Sequence, residues 1–420
     1  MSSQLHVFKF GGASVKDATA VRNVAHIIQH YQQGPLVVVI SAMGKTTNAL
    51  EMIHEKRFQG EDYAQPLQTI LAFHTAIADD LLLTAADMQG FDQQWESLQT
   101  VLASPIAGSY DQEYDQIVSY GELLSTALVH GYLKASGIGS TWLDVRRLIC
   151  TDARHRDARV DWELSSSLAA AIAQSMEPNS IFIVQGFIGS TAQGLTTTLG
   201  REGSDFTAAI MAFLFDAATV TIWKDVPGML NADPKWFDNT VKLDSISFRE
   251  AIELAYYGAS VIHPKTIKPL QNKGIPLYIK SFIHPEEAGS IIQENTSSDH
   301  LVPSYIFKGN QDLVSFIPKD FSFIVEDNLR EIFGTLSEIG IRVNLMENSA
   351  ISFSICIDTD TYKRGLLFEA MRGHYAIRYN EGLTLITVRH WDDQTLAQLT
   401  AGRDVLLEQK SRQTVRMVVR

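Results

Sequence analysis

The sequence predicts a mainly parallel α/β sandwich followed by smaller α+β units. Up to about residue 292, short runs of branched apolar residues alternate with longer stretches of helical periodicity, which is the pattern of a parallel sheet covered by helices. Beyond residue 300 the order changes to strand, helix, strand, strand. A polar stretch, 293–300, separates the two patterns and is the best candidate for a linker. We therefore expect one domain over 1–295 and a second region over 301–420.

Four continuous apolar runs predict the buried strands of the first domain, because strands covered on both faces need no alternation with polar residues. Amphipathic stretches from Val21 to Tyr31 and from Ile117 to Leu128 predict helices between these strands. A mostly helical region, 62–114, could form a lid or an added helical layer. The four apolar runs are 36–41, 181–184, 218–223 and 276–279.

Two further helices of this domain carry local start and stop signals. Ser247 and Glu250 have the spacing of a capping box and open a helix that ends at Gly258. Pro264 and Gly274 mark the start and the end of the next helix.

The C-terminal region predicts two βαββ units, the second shorter than the first. The first unit has strands at 313–317, 342–346 and 351–357 and a helix at 328–339, which Gly340 closes. The second unit has strands at 383–388, 405–407 and 415–419 and a helix at 393–399.

Composition excludes several classes of protein. The 420 residues include 35 Lys and Arg against 48 Asp and Glu, and this net charge of −13 argues against a nucleic-acid partner. Cys150 and Cys356 form neither a C-x-x-C pair nor a disulfide framework, which fits a reducing cytoplasm. No apolar run reaches the roughly 18 residues of a membrane span, and the N-terminus lacks the pattern of a secretory signal. We expect a soluble, cytoplasmic protein without a membrane partner.

Three motifs do not carry the chemistry that they suggest. The segment 44–47 resembles the end of a P-loop but lacks the earlier glycine of that motif. The triplet 155–157 resembles part of a protein-kinase catalytic loop, but Trp162 stands where that loop needs an asparagine. His26 and His30 share a helix face without a third ligand, so we predict no metal site formed by the protein.

A candidate phosphate cradle lies where the first strand ends. Lys9, Gly11 and Gly12 stand at this point, and a helix begins near Ser14. Two glycines let the backbone amides approach an anion closely, and Lys9 adds a positive charge. An ordinary strand-to-helix turn is the alternative interpretation of the same residues.

Four polar loops match this cradle. In one of them, Ser204 can cap a helix, Asp205 falls in its first turn, and Arg201 offers a planar fork for a carboxylate. Asp205 could instead be only a favourable charge at a helix start. Because ligands bind at the carboxyl ends of parallel strands, the loops together predict one site. They are 41–47, 186–189, 196–205 and 223–234.

These motifs resemble those of the amino-acid kinase family, and within it those of the aspartate kinases. They occur in the family's order and span nearly the whole first domain, so the fold expected is the sandwich of that family. The βαββ units resemble ACT domains, which give such enzymes amino-acid feedback. The matching segments are 9–14, 41–48, 119–125, 186–189, 196–205, 223–234 and 257–264.

The resemblance implies a role for each matching residue. Lys9 and Asp205 are the expected catalytic residues, with Lys9 stabilising the transferring phosphoryl group and Asp205 ordering the lysine and phosphate end of the site. Arg201 is expected to bind the α-carboxylate of aspartate and Glu122 its ammonium group. The other expected substrate-binding residues are Thr47, Phe187, Ser204 and Ser41, which corresponds to a phosphate-binding position. The expected nucleotide-binding residues are Lys9, Gly11, Gly12, Lys224, Asp225, Leu230 and Lys235.

The sequence departs from the commoner family pattern on the nucleotide side. Lys224 replaces a threonine, Leu230 a tyrosine and Lys235 an arginine, and Ser260 stands where a lysine is usual. Because one phosphate lysine is lost and another is gained, we interpret Lys224 as a relocated lysine.

The activity that the resemblance implies is ATP-dependent phosphorylation of the side-chain carboxylate of L-aspartate to 4-phospho-L-aspartate, the first step toward lysine, threonine and methionine. ATP and Mg²⁺ are the expected cofactors. No general base is needed, since this carboxylate has a pKa of about 3.9 and is ionised at pH 7. An amino-acid effector at the ACT units and a homodimer or larger homo-oligomer are also expected. A catalytically silent amino-acid sensor and another amino-acid kinase, such as a glutamate kinase, are the alternatives.

Overall fold

The computed structural model describes residues 4–174, 176–237, 239–259, 262–299, 302–320 and 322–420. The chain forms two compact units. The first comprises Met1–Met229, Lys242–Ile252 and Val261–Ser298, and the second comprises Leu230–Val241, Glu253–Ser260 and Asp299–Arg420. The functional domains expected at 1–295 and 301–420 stay a prediction.

Thirteen strands, ten α-helices and two short 3-10 helices, Gly12–Val15 and Val145–Arg147, precede the C-terminal region among the described residues. The strands are β1 His6–Phe10, β2 Leu36–Ile40, β3 Thr141–Leu143, β4 Cys150–Thr151, β5 Ile181–Gln185, β6 Ile188–Thr191, β7 Thr196–Thr198, β8 Thr219–Lys224, β9 Met229–Leu230, β10 Lys242–Leu243, β11 Ser245–Ser247, β12 Leu277–Ser281 and β13 Ser290–Gln293. The helices are α1 Ala18–Tyr31, α2 Thr46–Gln59, α3 Ala64–Asp80, α4 Ala85–Ala103, α5 Tyr110–Val118, α6 Tyr120–Ala135, α7 Trp162–Ala173, α8 Gly203–Leu214, α9 Phe248–Tyr257 and α10 Pro264–Lys273.

The first unit is built on an eight-stranded sheet in the order β11-β13-β12-β8-β1-β2-β5-β3. The six strands from β12 to β3 are all parallel, and they include the four predicted from apolar runs. All five residues of β2 are buried, as its continuous apolar sequence requires. Helices α6 and α8 pack on these strands. The predicted parallel α/β architecture is confirmed, and the carboxyl ends of β1, β2, β5 and β8 meet at one edge.

The predicted helix ends are confirmed where the sequence carries a local signal. The hydroxyl oxygen of Ser247 accepts a hydrogen bond from the amide of Glu250 (3.0 Å) at the start of α9. Gly274 ends α10 with a φ of 65°, a conformation that glycine adopts without a Cβ clash. The region 62–114 is helical as predicted, comprising α3, α4 and the start of α5. Its action as a lid stays a prediction.

The C-terminal part of the second unit is one antiparallel sheet that carries three helices. Its order is β15-β16-β14-β17-β19-β18, so both predicted βαββ units share a single sheet. The helix α12 was not predicted. The strands are β14 Ser304–Pro318, β15 Val343–Asn348, β16 Phe353–Asp358, β17 Tyr375–Arg389, β18 Val405–Lys410 and β19 Thr414–Val419, and the helices are α11 Glu326–Ile339, α12 Thr361–Met371 and α13 Asp393–Thr400.

Three hydrophobic clusters lie on this sheet. One contains Phe316, Ile332 and Leu336, and a second contains Ile386 and Met417. The third, which includes Leu313 and Val418, has buried residues from the strands only. The first two clusters each include helix residues, which fits the prediction of two successive βαββ units. Among the described residues, no helix combines the length and the apolar character needed to cross a membrane.

Candidate functional site

A cavity of ≈630 Å³ in the first unit is lined by residues at or just after the carboxyl ends of β1, β2, β5 and β8, together with residues of α2, α5, α6 and α8. The polar loops predicted from the sequence therefore converge, as the parallel sheet requires. The cavity brings together ten of the predicted site residues. They are Lys9, Gly12, Ser41, Thr47, Glu122, Phe187, Arg201, Ser204, Asp205 and Lys224.

The two glycines after β1 bring the first loop close to the second. A Cβ atom on Gly12 would lie 2.7 Å from the carbonyl oxygen of Ala42, so only glycine fits there. The amide of Gly44 donates a hydrogen bond to the carbonyl oxygen of Gly12 (3.1 Å). A Cβ atom on Gly11 would lie 3.4 Å from the ammonium nitrogen of Lys9. The glycines thus keep backbone and lysine close together, as a phosphate cradle requires.

The carboxylate of Asp205 forms ion pairs with two lysines. Its Oδ1 lies 2.6 Å from Lys9 Nζ and its Oδ2 lies 3.4 Å from Lys224 Nζ. Asp205 is 3% exposed. Burial acts to raise the pKa of Asp205, but the charges of Lys9 and Lys224 outweigh burial and hold that pKa below its usual value. The aspartate is therefore ionised and orients two cations at the cavity.

The start of α8 differs from the prediction in one detail. The expected helix N-cap, Ser204, lies inside the helix, because α8 begins at Gly203 and its N-cap is Glu202. The hydroxyl of Ser204 packs against Gly186 instead, since a Cβ atom there would lie 2.4 Å from Ser204 Oγ. Asp205 falls in the first turn as predicted. Ser204 does not cap the helix, and its side chain lines the cavity instead.

Glu122 projects from α6 into the cavity as a buried carboxyl group. Its Oε1 accepts a hydrogen bond from the amide of Ala42 (3.2 Å). Its Oε2 is buried and has no hydrogen-bond partner among the described residues. Burial raises the pKa of Glu122 to about 8, although the Ala42 amide and the charge of Lys9 act in the opposite direction. A ligand ammonium group would supply both the missing partner and the missing charge.

Sequence analysis missed a wall of the cavity formed by Glu51, Tyr114 and Arg156. The hydroxyl of Tyr114 donates a hydrogen bond to Glu51 Oε1 (2.6 Å), and burial followed by this bond raises the pKa of Tyr114. The guanidinium carbon of Arg156 lies 4.2 Å from the centre of the Tyr114 ring. No local motif marks these positions, since they come from α2, α5 and a turn. The sequence signal nearest to them is the kinase-like triplet 155–157.

Four predicted nucleotide-binding residues, Gly11, Asp225, Leu230 and Lys235, do not line this cavity. Leu230 and Lys235 belong to the second compact unit. Ser260, the position of the missing lysine, lies outside the described residues. The nucleotide-binding assignment of these residues therefore stays a prediction.

Candidate metal ligands are dispersed. Within the described ranges, no three His, Cys, Asp or Glu side chains are grouped closely enough to hold a metal ion. The rings of His26 and His30 lie 4.0 Å apart on α1, and His30 Nδ1 is bonded within that helix, 2.8 Å from the carbonyl oxygen of His26.

Known proteins share both the sequence and this architecture. The family model described as the amino acid kinase family matches residues 4–281. Lysine-sensitive aspartokinase 3 of Escherichia coli is 32% identical over 394 residues, which are 92% of this chain and 87% of that protein. A bifunctional aspartokinase/homoserine dehydrogenase of Arabidopsis thaliana is 30% identical over 88% of this chain, which spans 42% of that longer protein.

Solved structures agree with these matches. The structure of E. coli aspartokinase III with lysine and aspartate superimposes with a TM-score of 0.82 at 29% identity, covering 99% of this chain and 96% of the other. The structure of the same enzyme with aspartate and ADP gives a TM-score of 0.79 at 28% identity over the same shares. The chain belongs to the amino acid kinase family and, within it, to the aspartokinases. The predicted family and fold are confirmed.

Proposed function

We propose that this chain is an aspartate kinase that transfers the γ-phosphoryl group of ATP to the side-chain carboxylate of L-aspartate. The observation that carries the proposal is the cavity itself, in which Lys9 and Lys224 converge on Asp205 while Glu122 presents a buried, unpartnered oxygen among the described residues. The product is 4-phospho-L-aspartate. Membership in the aspartokinases and the fit to an enzyme solved with aspartate and ADP support this activity.

The geometry suits phosphoryl transfer because that reaction depends mainly on positioning and charge neutralisation. The acceptor carboxylate is ionised at pH 7, so the site needs no general base. Lys9 and Lys224 offset negative charge on the transferring group, and Asp205 fixes their positions. Arg201 binds the α-carboxylate and Glu122 binds the ammonium group, which directs the β-carboxylate to the phosphorus.

The residues present fit Mg²⁺ that enters with the nucleotide. Mg²⁺ keeps several waters and is usually bound by one or two carboxylates together with substrate phosphates. Both oxygens of Asp205 face lysines, so this residue would hold the ion through water. When bound, Mg²⁺ neutralises charge on the β- and γ-phosphates. The chain's own contribution is to orient Lys9, Lys224 and the acceptor.

A coupled assay of ADP release from Mg·ATP tests the proposal. We expect ADP release with L-aspartate and little with L-glutamate, and hydroxamate trapping should detect the acyl phosphate. Turnover with L-glutamate alone would favour the glutamate kinase alternative. Absence of turnover with both acids would favour the silent sensor.

Regulation, assembly and location follow as finer parts of the proposal. An amino-acid effector binds the C-terminal βαββ units, with lysine as the first candidate because one relative is called lysine-sensitive and a solved relative contains lysine. The same ADP assay with added lysine, threonine or methionine identifies the effector. A homodimer or larger homo-oligomer in the cytoplasm is the expected form, and light scattering measures its mass.

A further inference from the structure

Backbone strain is concentrated at the candidate site. Seven residues other than glycine have left-handed backbone conformations in the described part of the chain, and three of them line the cavity of the candidate site. These three are Arg156 (φ 66°), Phe187 (φ 70°) and Glu202 (φ 54°). Such conformations disfavour residues with a Cβ atom and tend to persist where a binding site requires them. Sequence analysis assigned a substrate-binding role to Phe187 and none to Arg156 or Glu202, and of these two Arg156 is the one that offers a cation to a ligand.

The turn that carries Arg156 is fixed by a fully buried carboxylate, that of Asp115. Asp115 Oδ2 accepts hydrogen bonds from the amide of Arg156 (3.1 Å) and from His155 Nδ1 (2.8 Å). Asp115 Oδ1 accepts a hydrogen bond from the hydroxyl of Thr198 (2.6 Å). Because Asp115 lies on α5 and Thr198 on β7, the turn is tied to two elements of the first unit. The position of Arg156 is therefore imposed by its surroundings.

The side chain of Arg156 is oriented but only partly engaged. Its guanidinium carbon lies over the ring of Tyr114, 4.2 Å from the ring centre. Within the described residues, its one side-chain hydrogen bond is donated by Nη1 to Asp111 Oδ1 at 3.3 Å, between two groups that are about half exposed. A guanidinium group carries five N–H donors in a planar fork, so most of its donors remain available to a ligand in the cavity.

Arg156 and Arg201 stand on turns that touch each other. A Cβ atom on Gly200, the neighbour of Arg201, would lie 3.2 Å from the carbonyl oxygen of Arg156. In the described structure these two arginines supply the only guanidinium groups of the cavity lining. Lys9 and Lys224, by contrast, converge on Asp205. The cavity lining thus holds two lysines that share one counter-ion and two arginines that stand on adjoining turns.

We propose that Arg156 is a further substrate-binding residue, which holds the α-carboxylate of aspartate together with Arg201. This inference rests on the proposed function. The lysine pair serves the reacting phosphoryl group, which leaves the arginine pair for the carboxylate that does not react. Two planar forks can bind one carboxylate more selectively than a single fork. This role explains why an arginine occupies a strained backbone conformation at position 156. Glycine would relieve the strain but would remove the guanidinium group that binds the carboxylate.

The test compares Arg156→Gly with a matched control, Arg154→Gly. Glycine suits the left-handed conformation at position 156, so we expect the variant to fold with a melting temperature at least equal to that of the wild type. Arg154 is a neighbouring exposed cation that does not line the cavity. For each protein, the KM for aspartate and for ATP is measured in the ADP assay. The inhibition constant of β-alanine, which lacks the α-carboxylate, is measured in competition with aspartate.

We expect Arg156→Gly to raise the KM for aspartate by roughly tenfold or more, as for a lost charged hydrogen bond, and to change the KM for ATP and the β-alanine constant by less than about threefold. Arg154→Gly should leave all three near wild type. An unchanged KM for aspartate in Arg156→Gly would overturn the proposal, as would an equal weakening of aspartate and β-alanine. Failure of the proposed function itself would be seen separately, as a wild-type chain that releases no ADP with aspartate.

Discussion

Lys9 and Lys224 share one counter-ion, Asp205, inside the candidate site. Lys224 Nζ lies 3.4 Å from Asp205 Oδ2, which places the lysine at the same carboxylate as the predicted catalytic Lys9. This contact supports the interpretation of Lys224 as a relocated phosphate lysine. The complementary position, Ser260, lies outside the described residues, so the exchange itself must be tested by substitution.

We predict that Lys224→Thr lowers kcat by roughly 10²-fold, since it removes one positive charge where negative charge develops. Adding Ser260→Lys to this variant should restore much of the rate. Both rates are measured in the ADP assay at saturating ATP and aspartate. Full activity of Lys224→Thr would show that Lys9 and magnesium suffice, and a failed rescue would show that Lys224 has replaced nothing.

Glu122 gives the site a defined pH dependence. Burial raises its pKa to about 8, so this carboxyl group is mostly neutral at pH 7 until a cation binds beside it. Binding of a ligand ammonium group favours the carboxylate. We therefore expect the KM for aspartate to fall on the order of tenfold between about pH 6.5 and pH 8.5 as this group ionises.

The control is Glu122→Gln, which should weaken aspartate binding and flatten this pH profile.

The ionisation of Glu122 also affects the stability of the fold. Folding raises the pKa of Glu122 from 4.5 to about 8, so the folded state holds a proton that the unfolded chain loses. Wild-type stability should therefore decline as pH rises from 4.5 toward 8, and the glutamine variant should lack this part of the decline. Urea unfolding across that range measures it, and identical slopes would contradict the shifted pKa.

Residue chemistry made most of the site predictable. Lys9, Arg201 and Asp205 occur in short motifs whose glycines and charges fit phosphate and carboxylate ligands, and the structure brings these residues into one cavity. Arg156 could not be found in this way. Its place depends on a hydrogen bond to the buried Asp115, 41 residues away in sequence, and on a backbone angle that no motif encodes.

At the scale of elements, local signals predicted helix ends better than strand lengths. Gly274 and Gly340 end α10 and α11 in left-handed conformations, as their positions in the sequence suggest. In contrast, β14 and β17 each run for 15 residues. Sequence analysis predicted only 313–317 of β14. Asn310 adopts a φ of 53° and the pairing of β14 shifts register there, so the strand continues through a bulge.

Helix α12 escaped prediction because Gly365 weakens its helical pattern. Interior glycine costs about 0.5–1 kcal/mol relative to alanine. A Cβ atom at Gly365 would meet no described atom within 4 Å. We predict that Gly365→Ala stabilises the protein by about 0.4–1 kcal/mol in urea unfolding.

The matched control is Gly340→Ala at the end of α11. Gly340 has a φ of 72°, so alanine there should destabilise the protein by about 1 kcal/mol. The same sign for both substitutions would contradict the conformational explanation.

At the scale of the whole molecule, the second compact unit includes two stretches that lie far from it in sequence, Leu230–Val241 and Glu253–Ser260. Within that unit, the ring of Phe237 stacks on Tyr305 with ring centres 5.0 Å apart. Its centre also lies 5.4 Å from that of Phe307, and both partners come from β14. Composition and periodicity could not predict this arrangement, because stretches of the first unit separate these segments in the sequence.

A chain ending at Ser298 should therefore be less stable than the full protein. The truncated chain would keep Phe237 but lose its ring partners, Tyr305 and Phe307. It would also lose the hydrogen bond that the amide of Tyr305 donates to the carbonyl oxygen of Asn231 (2.6 Å). Exposing a packed aromatic cluster costs on the order of several kcal/mol. We predict a melting temperature about 5 °C or more below that of the full chain, together with binding of a hydrophobic dye.

The control for truncation is Phe237→Ala in the full chain, which removes the same stack while keeping every residue after 298. Because this cluster is part of the second unit's own core, the variant should also melt at a lower temperature, by a smaller amount than the truncated chain. Calorimetry and dye binding are measured on the full chain, the truncated chain and the Phe237→Ala variant. A truncated chain that melts like the full protein and binds no dye would show that Leu230–Val241 is stable without the C-terminal sheet, and the aromatic stack would then be no part of what stabilises that stretch.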